Sequence, residues 1–193
     1  MERDYGKEID ALREQLDVLT KQKPIKYVES MKSMDPDERL TGMMEELCDT
    51  ARGSGAVTYF GVFVSGDKQS CMQSCWIRNR VDTDSLLQLI ESNAAARVLA
   101  CVGNNDRLNL LLALLRSPRT AAQLVEQCGW NTTGQVYHHL KPLLAADLVK
   151  EDENTRGSYM IQPHRVQGII MLLAGVSDML DPKYTRGSWE TAD

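Results

Sequence analysis

The 193-residue sequence lacks the features that would place it in a membrane or outside the cell. It has no run of 18 apolar residues, so it predicts no membrane-spanning helix. Its first ten residues, MERDYGKEID, have neither the apolar stretch nor the small-residue cleavage site of a secretory signal. We therefore expect a cytoplasmic protein that does not associate with membranes.

The cysteines do not fit a disulfide framework, because their number is odd and reduced thiols are expected in the cytoplasm. Cys71 and Cys75 face the same side of a predicted strand, about 13 Å apart. Their sulfur atoms would not converge on one zinc ion. We interpret them as buried structural thiols and leave redox or soft-metal sensing open as the alternative. We expect no metal site and no cofactor.

Catalytic motifs are also missing. The sequence contains no GxSxG, GxxxxGK[ST], HExxH or GxGxxG pattern. The neighbouring pair His138 and His139 would point about 100° apart on a helix, so the two rings cannot bind one metal ion together. We therefore do not expect an enzyme.

An overall excess of basic charge is absent as well. The net charge is −5, which by itself argues mildly against a nucleic-acid partner. The distribution is uneven, however. Residues 105–165 carry a net charge of +1, whereas residues 1–104 carry −4 and residues 166–193 carry −2. The segment that is not acidic is the one that the motifs below connect with DNA.

The N-terminal half predicts two helices followed by a hairpin. Apolar residues spaced four and three apart from Tyr5 to Leu19 form a heptad seam, which is too short to be stable alone and needs a partner. A polar linker from Lys21 to Pro36 precedes a second amphipathic helix up to Ala51. Alternating residues then predict strands at 56–65 and 70–81 around a turn at Gly66-Asp67. Four aromatic residues lie in these strands: Tyr59, Phe60, Phe63 and Trp76.

Two interpretations of the aromatic residues remain open. They form a small core against helices predicted at 83–102, or they line an apolar pocket for a small-molecule effector of unknown identity. The predicted fold class is α+β, mostly α, with a C-terminal winged helix-turn-helix and an N-terminal extension of helices and a β-hairpin. The predicted segments are 1–52 (helices and linker), 53–91 (hairpin plus helix), 92–181 (winged helix-turn-helix with a dimerisation helix) and 182–193 (tail).

The C-terminal half predicts a helix at 106–116, a helix capped by Thr120, a turn containing Gly129, a further helix from Thr132 or Thr133, and two short strands around residues 152–157. A short glycine-containing turn sets two helices at a steep angle, so that the second can enter the major groove of DNA. A last helix from Pro163 to about Leu180 is apolar over most of its circumference, which favours a homodimer.

The second helix of the motif has an apolar face and a polar face. Val136, Leu140 and Leu143 recur at helical spacing and should pack inward. The remaining polar positions supply groups suited to phosphates and base edges. The predicted DNA-binding residues are Thr132, Thr133, Gln135, Tyr137, His138 and Lys141 in this helix, and Arg156 at the tip of the wing.

Three segments of the C-terminal half resemble a known family. The segments DRLNLLLALL, RTAAQLVEQCGWNTTGQVYHHLKPLLAADLV and RGSYMI look like the winged-helix domain of ArsR-like bacterial repressors, over residues 92–180. The resemblance implies a homodimer that binds operator DNA and represses transcription, often under control of a metal or small ligand. The family's paired metal-binding cysteines are absent at 118–122. The alternative function is a ligand- or redox-sensing interaction module whose winged helix does not bind DNA.

Overall fold

The computed structural model describes residues 5–20, 37–66 and 71–181. The predicted linker at 21–36, part of the hairpin turn and the tail at 182–193 lie outside these residues. The helices are α1 (Tyr5–Thr20), α2 (Glu38–Thr50), α3 (Thr83–Glu91), α4 (Ala94–Val102), α5 (Asn105–Arg116), α6 (Ala121–Cys128), α7 (Thr133–Ala145) and α8 (Val166–Leu180). The strands are β1 (Ala56–Gly66), β2 (Cys71–Asp82), β3 (Arg119–Thr120), β4 (Val149–Glu151) and β5 (Ser158–Ile161), and a short 3-10 turn spans Pro163–Arg165.

This order confirms the predicted fold class, a mostly helical α+β chain with a small β component. The strands form two sheets. β1 and β2 pair as an antiparallel hairpin, and β3, β5 and β4 form a three-stranded sheet in that order. The two-residue strand β3 was not predicted, because a strand this short has no alternation to recognise. It pairs Arg119 with Tyr159 and Thr120 with Ser158, which attaches the start of α6 to the wing.

Local capping explains where several helices begin. The side chain of Asp82 accepts a hydrogen bond from Ser85 N–H at 2.9 Å and caps α3. At the start of α4, the N-cap residue Asn93 makes no side-chain capping hydrogen bond. Asn93 adopts a left-handed conformation with φ of 57°, which asparagine tolerates better than most residues.

The core lies in the C-terminal half and is built by α5, α6, α7, the wing strands and the start of α8. Leu110, Leu124, Val136, Leu140 and Leu143 have no solvent-exposed surface. Burying a leucine or valine side chain contributes roughly 1.5–3 kcal/mol relative to leaving it exposed. Within the described residues, this cluster holds the helix-turn-helix rigid and fixes which face of α7 remains at the surface.

The hairpin packs one of its faces on this core. Phe63 and Met72 contact the core cluster. The hydroxyl of Ser65 donates to the carbonyl oxygen of Arg116 at 3.1 Å, and Tyr59 and Gln167 are hydrogen-bonded through their side chains at 3.4 Å. The expectation of a core against the helices at 83–102 is therefore incomplete, because α5 and α8 also cover this face. Alternation shows which residues share a face but not which element covers them.

The four aromatic residues do not form one cluster. Phe60 lies on the outer face of the hairpin and is mostly exposed, opposite Phe63. The Trp76 ring lies against Gly61, where an added Cβ would come within 2.5 Å of the ring. Among the described residues, the interpretation that one face of aromatic residues lines a pocket is not supported, since alternation places them on both faces of a two-stranded sheet.

Candidate nucleic-acid interface

The interface is built on two helices that begin in the same way. In α6 the hydroxyl of Thr120 accepts from the N–H of Gln123 at 3.3 Å, and the Gln123 side chain accepts from the N–H of Thr120 at 2.9 Å. In α7 Thr132 and Gln135 form the same reciprocal cap. Such capping boxes satisfy backbone N–H groups that the first turn of a helix leaves unpaired.

The turn between α6 and α7 depends on Gly129. This residue ends α6 in the left-handed conformation, with φ of 67°. The N–H of Trp130 then donates to the carbonyl oxygen of Val125 at 2.9 Å, which closes the helix end. The predicted C-terminal glycine of α6 and the short turn are therefore confirmed.

The inner face of α7 is formed by Val136, Leu140 and Leu143, which are completely buried as predicted. All the residues predicted to contact DNA are on the exposed part of the chain: Thr132, Thr133, Gln135, Tyr137, His138, Lys141 and Arg156. The first six lie along α7 and its N-cap, and Arg156 lies in the turn between β4 and β5. Within the described residues, neither Lys141 nor Arg156 has an ion-pair partner, so both cations are available to an outside anion.

Gln135 has a second role that its outward position did not suggest. Its side-chain oxygen accepts hydrogen bonds from the N–H groups of Asn131 at 2.9 Å and Thr132 at 3.3 Å. A bidentate contact with adenine would use that same oxygen. The capping-box pattern of a threonine followed three residues later by glutamine is the sequence signal for this role.

His139 contacts Trp130 and Asp106 behind the turn, and the sequence did not predict these contacts. The His139 ring stacks on the Trp130 ring, with centroids 5.1 Å apart, and its Nε2 lies 3.5 Å from a carboxylate oxygen of Asp106. Only 14% of the His139 side chain is exposed. Because Asp106 lies in the first turn of α5, this contact connects the turn and α7 to α5. His139 thus positions α7, while its neighbour His138 lies at the surface.

The wing is held in shape by Asp152 and Gly157. The Asp152 carboxylate accepts from the N–H of Asn154 at 3.0 Å, and Asp152 N–H donates to the carbonyl oxygen of Ser158 at 2.8 Å. Gly157 adopts a φ of 75°, and its N–H donates to the Glu151 carboxylate at 3.0 Å. These bonds place Arg156 at the tip of the turn.

An aromatic pair connects the wing to α7. The rings of Tyr137 in α7 and Tyr159 in β5 meet edge to face with centroids 6.5 Å apart. Burial, and after it the neighbouring Tyr137, raises the pKa of the Tyr159 hydroxyl above its usual value. The Tyr159 hydroxyl therefore stays protonated near neutral pH. The pair connects α7 directly to the wing.

One of the two predicted buried thiols of the hairpin differs from the prediction; the side chain of Cys71 lies outside the described part of the structure. Cys75 is exposed on the outer face of β2, so its interpretation as a buried structural thiol is wrong. The reason is that the described residues cover the two-stranded sheet on one side only. Cys128 is half-buried near the turn, and burial raises the pKa of its thiol. Across residues 5–20, 37–66 and 71–181, no three His, Cys, Asp or Glu side chains converge as metal ligands.

A search for membrane spans among the described residues finds no single helix that is long and apolar enough to cross a bilayer. One bent pair, α4 with α5, passes the test of length and composition, but the two helices meet at 80°. Five α5 residues, including Leu110 and Leu114, belong to the buried core.

Comparison with known proteins identifies the same segment. Residues 102–152, about a quarter of the chain, match the sequence model of a helix-turn-helix domain. No curated protein matches the chain. A similar solved structure is that of the homodimeric winged helix-turn-helix DNA-binding domain of a possible ArsR-family transcriptional regulator from Mycobacterium bovis. It has 24% sequence identity and a TM-score of 0.40, and it covers 54% of this chain and 94% of that one.

Proposed function

We propose that this chain, whose C-terminal half is an ArsR-like winged helix-turn-helix, is a transcription regulator that binds double-stranded operator DNA. In this proposal α7 enters the major groove and the wing lies on the adjacent backbone. One observation carries it: the capped N-terminus of α7, Lys141 and Arg156 are all exposed, while Val136, Leu140 and Leu143 hold α7 from behind.

Each predicted contact has a chemical role. Thr132 and Thr133 lie at a helix N-terminus, where hydroxyl and N–H groups favour phosphate oxygens. Lys141 and Arg156 supply positive charge to the backbone. Tyr137 and His138 reach phosphate or sugar, and Gln135 reads a base only after its side-chain oxygen leaves the cap. Sequence preference is therefore expected to depend on the rearrangement of Gln135.

We further propose that the regulator acts as a homodimer and represses transcription. The last turns of α8 support self-association, because Met179 and Leu180 are 86% and 82% exposed although the helix begins in the core at Val166. Two-fold symmetric proteins bind half-sites about one helical turn of DNA apart. The division into segments 1–52, 53–91, 92–181 and 182–193, and control by a small-molecule effector, remain part of this proposal.

The proposal is tested by the salt dependence of DNA binding. Each lost phosphate contact lowers the slope of log affinity against log salt by about 0.9. Lys141→Ala and Arg156→Ala should each weaken binding to all sequences about equally and lower this slope by about one unit. Arg52→Ala is the matched control, because Arg52 is an exposed cation in the loop before β1.

Two results would contradict the proposal. If the intact chain binds no DNA at low salt, the winged helix has another partner, and the interaction-module function becomes the better account. If binding is found but Lys141→Ala, Arg156→Ala and Arg52→Ala have equal slopes, the DNA lies on a different surface.

A further inference from the structure

Arg119 in β3 carries a positive charge that no described residue neutralises. The residue is half-buried, and its Nε atom is buried without a hydrogen-bond partner. Within residues 5–20, 37–66 and 71–181, its guanidinium also forms no ion pair. The Nε atom of Arg107 is unpartnered as well. However, Nη1 of Arg107 donates to the carbonyl oxygens of Ala100 and Cys101 at 3.0 and 2.8 Å, so that guanidinium is already anchored.

A half-buried cation of this kind requires an acceptor. Buried N–H groups in folded proteins are almost always hydrogen-bonded, and a buried charge is costly unless it is paired. The acidic residue in the same row of the sheet is Glu151, which lies two strands away, at about 10 Å by the spacing of neighbouring strands. Its carboxylate accepts from the N–H of Gly157 at 3.0 Å. The acceptor for Arg119 is therefore expected outside the described residues.

Arg119 lies at the junction of the elements that the proposed function assigns to DNA. β3 pairs Arg119 directly with Tyr159 of β5, and directly paired side chains share one face of a sheet with Cβ atoms about 4.5–5.5 Å apart. The ring of Tyr159 meets the ring of Tyr137 on α7. The next residue, Thr120, caps α6, the helix that crosses the DNA backbone in this motif. Arg119 is thus adjacent to α6, to the wing and to the aromatic contact with α7.

We infer that Arg119 binds a phosphate of the DNA backbone, as a third cation besides Lys141 and Arg156. The inference rests on the proposed function and adds a contact on the side of α6. Phosphate rather than a base edge is the expected acceptor, because β3 is not part of the helix that enters the major groove.

The chemistry of the side chain supports a contact with two hydrogen bonds. An arginine guanidinium can donate in parallel from Nε and one Nη to two oxygens of the same phosphate. Such a contact satisfies the buried Nε and neutralises the charge together. A lysine at this position would carry the charge but would have no equivalent of Nε. Charge and hydrogen bonding can therefore be tested separately.

The experiment measures the DNA affinity of full-length variants across a salt series. The probe is a fluorescein-labelled random-sequence duplex of about 30 base pairs, roughly three turns of DNA. Arg119→Met keeps an unbranched side chain but removes the charge, and it should lower the slope of log affinity against log salt by about one unit. Arg119→Lys should keep the slope and weaken binding about three- to tenfold, because one hydrogen bond is lost.

Arg116→Met is the matched control. Arg116 is an exposed arginine at the end of α5, shortly before β3, and its carbonyl oxygen accepts from Ser65 of the hairpin. This variant should retain the wild-type slope. Thermal unfolding of each variant separates lost stability from a lost contact, because a purely structural residue lowers the unfolding temperature without changing the slope.

The inference is overturned if Arg119→Met retains the wild-type slope while Lys141→Ala lowers it; DNA binding then stands, and Arg119 only stabilises the sheet. It is also overturned if Arg116→Met lowers the slope as much as Arg119→Met, which would show a general effect of charge. If Arg119→Met does not fold, wild-type affinity of Arg119→Lys contradicts the contact. If the intact chain binds no duplex, the proposed function fails, and this inference fails with it.

Discussion

Replacing Gln135 by glutamate should separate its capping role from its proximity to DNA. A carboxylate can accept the same hydrogen bonds from Asn131 and Thr132, and a negative charge suits the N-terminus of a helix. We therefore expect the free energy of unfolding to change by less than about 0.5 kcal/mol. Gln135→Ala is less informative, since it removes a cap worth about 1 kcal/mol and any DNA contact at once.

The expected loss of affinity follows from electrostatics. A unit charge about 5 Å from a phosphate costs about 0.8–3 kcal/mol at effective dielectric constants between about 80 and 20. This corresponds to a loss of about fourfold to more than a hundredfold in affinity, since 1.4 kcal/mol is tenfold. The loss should be largest at low salt, because salt screens exposed charges.

Gln123→Glu is the matched control. It places the same charge in the same reciprocal cap with a threonine, at the start of α6 rather than α7. Fluorescence anisotropy on a short duplex measures affinity, and urea unfolding measures stability. The orientation of α7 on DNA is refuted if Gln135→Glu retains wild-type affinity, or if Gln123→Glu loses as much affinity as Gln135→Glu at equal stability.

Three other predictions concern stability and the wing. Leu140→Ala should lower the free energy of unfolding by about 2–5 kcal/mol, because Leu140 is fully buried and the substitution leaves a cavity. A loss below about 1 kcal/mol in urea unfolding would contradict the assignment of Leu140 to the core. The pKa of Asp82 lies below 3.8 because the Ser85 hydroxyl and N–H donate to it. Its stabilising effect is therefore present above pH 3.8 and is lost as the pH falls through the lowered value. Asp82→Asn should make the free energy of unfolding depend less on pH in this range, and an unchanged pH dependence would show that this cap does not contribute to acid unfolding. Gly157→Ala should lower the free energy of unfolding by about 1 kcal/mol, because Gly157 has a positive φ, and it should weaken DNA binding. Equal fluorescence anisotropy curves for the variant and the wild type would show that the wing does not contact DNA.

Regular periodicity explains which parts of the fold could be predicted. The spacing of Val136, Leu140 and Leu143 identified the buried face of α7, and Gly129 identified the turn. Residues next to each other in sequence determine both features, so sequence alone was sufficient. The left-handed conformation of Asn93 carries no comparable local pattern and was not predicted.

Contacts between distant parts of the chain were harder to predict. The packing of His139 between Trp130 and Asp106 joins residues from three elements, and nothing in the spacing of these residues indicates it. The attachment of the hairpin to α5 and α8 was missed for the same reason. The exposed position of Cys75 follows from that attachment, since the covered face of the hairpin determines which face remains open.

The most direct test of the account is selection of DNA fragments from the genome of the source organism by the full-length chain. The account predicts that the wild-type chain enriches fragments sharing one sequence motif. Lys141→Glu, which reverses a charge on the exposed face of α7, should lose this enrichment while unfolding at the wild-type temperature. A chain that enriches no DNA, or a Lys141→Glu variant that enriches the same motif equally well, would contradict DNA binding through α7.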